Sequence, residues 1–142
     1  MAVPVIRELK RQVNARPGQV VILDAPPGTS CPVVEAVRGS DFLLLVTEPT
    51  PFGLHDLRLA VEVGHALGLP MGAVINRDGI GDDSVIRFCE NEGIPVVMRI
   101  PFERAIARDS ALGRTLLETH PEYAPRFREL AGDILRQVEG AR

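Results

Sequence analysis

An α/β fold built on a mostly parallel sheet follows from three features of this 142-residue sequence. Short apolar runs with no polar alternation recur at Val20–Leu23, Phe42–Val46, Ala73–Ile75 and Ile94–Ile100, which suits strands covered on both faces. Stretches with helical spacing separate them, so each strand returns through a crossover of one hand. The runs also end on polar residues, Asp24, Thr47 and Asn76, and in a parallel sheet those ends share one rim.

Taken in order, residues 4–15 read as a helix with Pro4 in its first turn and Ile6, Leu9 and Val13 on one face. Arg16-Pro17-Gly18 stops it. Val20–Asp24 is expected as a buried strand that breaks at Pro26-Pro27-Gly28, where two fixed φ angles and two missing donors end any ladder. A short helix over 32–37 follows, with Ser30 as its cap and Gly39 near its end. Residues 41–47 form the second strand, closed by Glu48-Pro49-Thr50-Pro51. A helix over 53–67 carries Leu54, Leu57, Val61 and Gly64 and ends at Gly68. The third strand is 71–76, and Asp82 caps a helix running to Glu92 with Val85, Ile86 and Cys89 inward. The fourth strand, 94–100, is stopped by Pro101. Helical pieces at 103–109 and 111–118 lead to a final helix over 122–139, with Tyr123, Phe127, Leu130, Ile134 and Val138 on one face. No repeat, low-complexity tract or linker divides the chain, so residues 1–142 are expected as a single α/β domain.

Composition narrows the function classes. A net charge of −3 gives no basic face for a nucleic-acid backbone. No apolar stretch approaches the length of a membrane span or signal peptide, and the expectation is a cytoplasmic, soluble chain. Cys31 and Cys89 are too few and too distant for a cluster or zinc site. His55, His65 and His120 are scattered without metal-like spacing.

The candidate chemistry sits at the rim. A hydrophobic strand ending in Asp is how P-loop NTPases hold magnesium beside phosphates, which makes Asp24 the candidate metal-side carboxylate, acting through a bound water. Gly28 and Thr29 follow closely enough to sense a γ-phosphate. The Asn76 amide offers a donor edge and an acceptor edge and can pair with adenine; its alternative is a strand-ending turn residue. Asp78 follows Asn76 by two positions, not the three of the guanine-reading Asn-Lys-x-Asp, so adenine is the expected base. Cys31, beside Pro32, is expected to be packed, and Cys89 to lie in the core. The loop Glu48–Pro51 reads equally as part of the site or as a rigid connection. The last helix, with Arg126, Arg128 and Arg136 beside Glu122, Glu129 and Asp133, suits a docked helix better than a membrane surface.

The segment Val21-Ile22-Leu23-Asp24-Ala25-Pro26-Pro27-Gly28-Thr29 resembles the Walker B and switch II region of MinD/Mrp-like P-loop ATPases. Cys31-Pro32-Val33, the run from Val46 to Leu57, Val74-Ile75-Asn76-Arg77, Gly93-Ile94-Pro95 and Arg99-Ile100-Pro101-Phe102 resemble the branch with an inserted ferredoxin domain. The resemblance implies a three-layer Rossmann-like P-loop NTPase fold lacking its N-terminal P-loop strand. It implies that Asp24 is the magnesium-associated acid, that Pro26, Pro27, Gly28 and Thr29 form switch II, and that Asn76, Arg77, Pro101 and Phe102 flank the adenine. ATP or ADP with Mg²⁺ would serve the complete protein. Its iron–sulfur clusters would belong to the insert, not to this chain.

The sequence holds no G-x-x-x-x-G-K-[ST], and its single lysine, Lys10, has no glycines around it. The expectation is therefore the C-terminal half of such a protein, whether trimmed, split or misread at its start. It would be inactive until joined by an N-terminal P-loop/ferredoxin segment or another chain, and a homodimer is possible. The alternative is a stand-alone scaffold or interaction module of the same fold. A response-regulator receiver is a weaker match, because it needs a lysine where this chain has Arg99-Ile100-Pro101. In the resembled family the phosphate-loop strand lies between the strands ending at Asp24 and Thr47. Without it these two either pair directly or leave a gap for a second chain.

Overall fold

The computed structural model describes residues 2–13, 15–16 and 18–140. Its elements in order are α1 (Ala2–Gln12), α2 (Cys31–Val37), β1 (Leu43–Thr47), α3 (Pro51–Leu67), β2 (Met71–Asp78), α4 (Ser84–Asn91), β3 (Val96–Pro101), α5 (Arg104–Ala111), α6 (Leu116–Thr119), a 3₁₀ turn (Pro121–Tyr123) and α7 (Ala124–Gly140). The sheet is wholly parallel, in the order β1-β2-β3.

Two cores sandwich the sheet. On one face Leu45, Ala73 and Ile75 meet Leu57 and Val61 of α3, Val85 and Cys89 of α4, and Ile94. Ile75, Val85 and Cys89 are fully enclosed. On the other face Val74 and Met98 meet Tyr123 and Leu130, with Phe127 and Ile134 of α7 packed alongside. The layers are helix, sheet and helix, as the alternating sequence implies. That second helical layer lies over β2 and β3, so Leu44 and Val46 on the same face of β1 stay exposed, at 37% and 66%.

Local chemistry sets the helix ends. α3 begins two residues earlier than its apolar spacing suggests, because Pro51 suits a first helical position and the Thr50 hydroxyl accepts the Gly53 N–H at 3.0 Å. It ends at Gly68 in the left-handed region, φ 63°. Asp83, not Asp82, stands at the cap position of α4, yet the Asp82 carboxylate takes the Ser84 N–H at 2.9 Å, and bonds from the Ser84 side chain and backbone hold its pKa below the usual range. Ser30 stands at the cap position of α2 but makes no side-chain cap bond. Lys10 docks α1 against the end of α2, donating to the carbonyls of Glu35, Ala36 and Arg38 at 3.0, 3.0 and 2.6 Å. Arg7 adds a two-pronged bond to Glu35. Polar bonds thus hold α1, and none of its described residues is buried, contrary to the apolar face expected at Ile6, Leu9 and Val13. Of the expected stop at Arg16-Pro17-Gly18, Pro17 lies outside the described residues.

The main correction concerns Val20–Asp24. This segment is not a strand. Val20, Val21, Ile22 and Leu23 are exposed, Ile22 at 89%. It does not pair directly with β1 either, which removes one of the two expected arrangements. A strand needs a neighbour to take its backbone N–H and C=O groups, and among the described residues this segment has no strand beside it. Apolar content favours burial but supplies no ladder.

Candidate functional site

The rim at the C-terminal ends of the strands opens into a cleft of about 460 Å³. One wall is Ala25–Gly28 with Val33 and Val37 of α2; the opposite wall is the full length of β1 and the first turns of α3, including Phe52 and Asp56. Thr47, Glu48 and Asn76 close its rim end. Proline at 26 and 27 stiffens the first wall, and Gly28 turns it with φ 103°, a region that resists a side chain.

The β1 wall is an open sheet edge. In a parallel ladder alternate residues bond to alternate neighbours. The Leu43 N–H bonds the Pro70 carbonyl at 2.9 Å, so Leu43, Leu45 and Thr47 face β2. Leu44 and Val46 therefore turn their N–H and C=O groups into the cleft. The edge is apolar and unpaired, the combination that proteins ordinarily cover.

The predicted residues divide between the cleft and its outer lip. Pro26, Pro27, Gly28 and Asn76 line the cleft together. Asp24 is exposed just before the Pro-Pro turn, and Thr29 is exposed just after it. Arg77, Pro101 and Phe102 lie on the outer lip, where the Phe102 N–H bonds the Asp78 carbonyl at 2.8 Å. Thr47 stands at the rim as expected, but it is buried and its hydroxyl donates to the Gly53 carbonyl at 3.0 Å. Cys31 is exposed rather than packed, because α2 presents Val33, Ala36 and Val37 inward instead. Cys89 is buried as expected, and burial pushes its thiol pKa up.

Sequence reading missed a ladder of charges across the strand ends. Arg77 Nε stands 3.5 Å from Glu48 Oε1, joining β2 to the loop after β1. Arg99 makes a two-pronged bond to Asp78, 2.7 and 2.9 Å, joining β3 to β2. This fork makes the Arg99 guanidinium still harder to deprotonate. Opposite charges at the ends of adjacent parallel strands were the available signal. Among the described residues no group of three or more His, Cys, Asp and Glu is placed to hold a metal. A magnesium ion does not need one, since it keeps several waters and is held by one or two carboxylates with substrate phosphates. An exposed Asp24 fits that limited role.

No protein-family model matches the chain. It is 32% identical over 114 residues to an uncharacterized protein of Methanocaldococcus jannaschii, covering 80% of this chain and 39% of that one. It is 24% identical over 136 residues to the iron-sulfur cluster carrier protein of Aquifex aeolicus, covering 84% and 37%. The chain thus spans about two fifths of the length of these relatives. Among solved structures, the cell division ATPase MinD of Pyrococcus furiosus superposes with a TM-score of 0.67 at 26% identity, over 96% of this chain and 57% of that one. The MinD cell division protein of Aquifex aeolicus gives 0.64 at 17% identity, over 98% and 59%. The fold is that of the MinD-type P-loop ATPases.

Proposed function

We propose that this chain, as one α/β domain, is the Walker B, switch II and adenine-side portion of a MinD-like ATP-binding protein. Its cleft receives a strand from the phosphate-loop portion, carried on the same polypeptide or another. The observation that carries this reading is the cleft itself. An open parallel edge at Leu44 and Val46 faces a Pro-Pro-Gly wall across a gap, with Asn76 at the same end. A parallel strand laid there would bond the free groups of β1. It would also carry the loop that follows it to the rim, beside Gly28.

In that assembly Asp24 holds magnesium through water, Pro26–Thr29 respond to the γ-phosphate, and Asn76, Arg77, Pro101 and Phe102 take the base. Bound ATP and Mg²⁺ supply the phosphoryl group and its charge neutralisation; this chain's residues position and enclose them. The likeness to an iron-sulfur carrier supports a link to iron–sulfur proteins through the rest of the molecule. With one exposed and one buried cysteine, this chain supplies no cluster-ligand set of its own.

The chain alone is expected neither to hydrolyse ATP nor to bind it tightly, because phosphate-loop amides and lysine supply most phosphate contacts. Calorimetry checks this. Micromolar, magnesium-dependent binding by the isolated chain overturns the divided-site reading.

A further inference from the structure

The chain carries both halves of a strand pair that it does not make. One half is the arm Val20–Asp24, which is neither helix nor strand and leaves its four apolar residues exposed. The other is the outer edge of β1, where Leu44 and Val46 stay exposed and turn their N–H and C=O groups away from β2. Arm and strand are each five residues long. An unbroken apolar run suits a strand covered on both faces, and an open apolar edge is a template for one more strand.

The cleft keeps the two apart within one chain. The arm leads directly into Ala25–Gly28, the wall that faces β1 across the gap. Val33 and Val37 of α2 are buried and line the space between, so α2 props that wall away from the edge. Pro26 and Pro27, with φ fixed, oppose folding the arm back across the cleft.

A second copy is free of that constraint, because its edge is not tied to this arm. When the arm of one copy enters the cleft of another, a twofold axis puts the second arm into the first cleft. The exchange closes at two copies and provides for both arms and both edges. Pairing the two β1 edges directly does less. It leaves both arms exposed, and each edge would have to pass the Ala25–Gly28 wall opposite it.

We propose that two copies of this chain dimerise by reciprocal exchange, Val20–Leu23 of each adding a strand to β1 of the other. Ile22 is the midpoint of the arm and Leu45 the midpoint of β1. In either strand direction Ile22 therefore lies beside Leu45, between Leu44 and Val46. The exchange uses the same edge as the phosphate-loop reading but does not rest on it. A partner's arm and a phosphate-loop strand are alternative occupants, and no nucleotide takes part here.

Sedimentation equilibrium of the chain tests this by reading the dimer dissociation constant. The wild type is expected to show monomer and dimer with no larger species. Ile22→Lys on the arm and Val46→Lys on the edge should each weaken the dimer roughly tenfold or more. An equimolar mixture of the two variants should associate more strongly than either alone, since one intact arm then meets one intact edge. In a Cys31→Ser background, differently tagged Ile22→Cys and Val46→Cys chains should be joined by a short bismaleimide. Circular-dichroism melts confirm that each variant is folded. An Ile22→Lys chain that dimerises like the wild type means that the edges meet directly, and overturns the exchange. So does a wild type that stays monomeric at millimolar concentration or grows past the dimer, a mixture no stronger than its components, or an absent cross-link. Nucleotide calorimetry is untouched by these outcomes, so the phosphate-loop reading stands or falls separately.

Discussion

The two thiols show how environment separates identical side chains. Cys31 stands exposed at the first position of α2, while Cys89 is fully enclosed between α4 and the sheet and its thiol pKa is pushed up by burial. Thiolate is the reactive form, so burial protects Cys89 twice, by access and by protonation. A thiol-specific reagent at neutral pH should label one cysteine per native chain, and Cys31→Ser should abolish that labelling. Rapid labelling of both thiols without denaturant would show that α4 does not pack as described. Surroundings decide at the rim too: Thr47 lines the cleft, yet it spends its hydroxyl on the Gly53 carbonyl.

Among the elements, β1 carries the clearest unmet demand. Its inner residue Leu45 is buried and its ladder to β2 is regular over Leu43–Thr47, yet Leu44 and Val46 face an open gap. An apolar edge with free N–H and C=O groups is a template for another strand. The chain alone should therefore self-associate with rising concentration, as light scattering would record. Val46→Lys should suppress that association and leave the thermal midpoint nearly unchanged, because an exposed substitution typically moves stability by no more than about 0.5 kcal/mol. Association that persists unaltered in Val46→Lys would place the sticky surface elsewhere.

For the whole molecule, several carboxylates titrate below their ordinary range for local reasons. Backbone and side-chain bonds from Thr115 lower Glu118, bonds from Ser84 lower Asp82, and a bond from Arg7 lowers Glu35. A carboxylate depressed in the folded state adds stability that is present above its unfolded pKa and lost as pH falls through the folded one. Thermal midpoints should accordingly hold steady near neutrality and fall as pH drops below about 4. Glu118→Gln should flatten part of that slope, because its capping of Thr115 then no longer depends on ionisation. A variant with the wild-type slope would remove Glu118 from the account.

The sequence by itself determined the alternation of helices and strands, the end of α3 at Gly68, the enclosed positions of Ile75, Val85 and Cys89, and the gathering of Asn76 with Pro26–Gly28 at one rim. These follow from short-range causes: periodicity, capping, and the fixed or permissive φ of proline and glycine. Tertiary structure alone decided the fate of Val20–Leu23, whose composition demands a strand but which has no neighbour to complete one. It also decided that α1 is held by Lys10 and Arg7 rather than by an apolar face. The charge ladder Glu48–Arg77 and Asp78–Arg99 was likewise its choice. Pairing partners and ion pairs join residues far apart in sequence, and no local window holds both members.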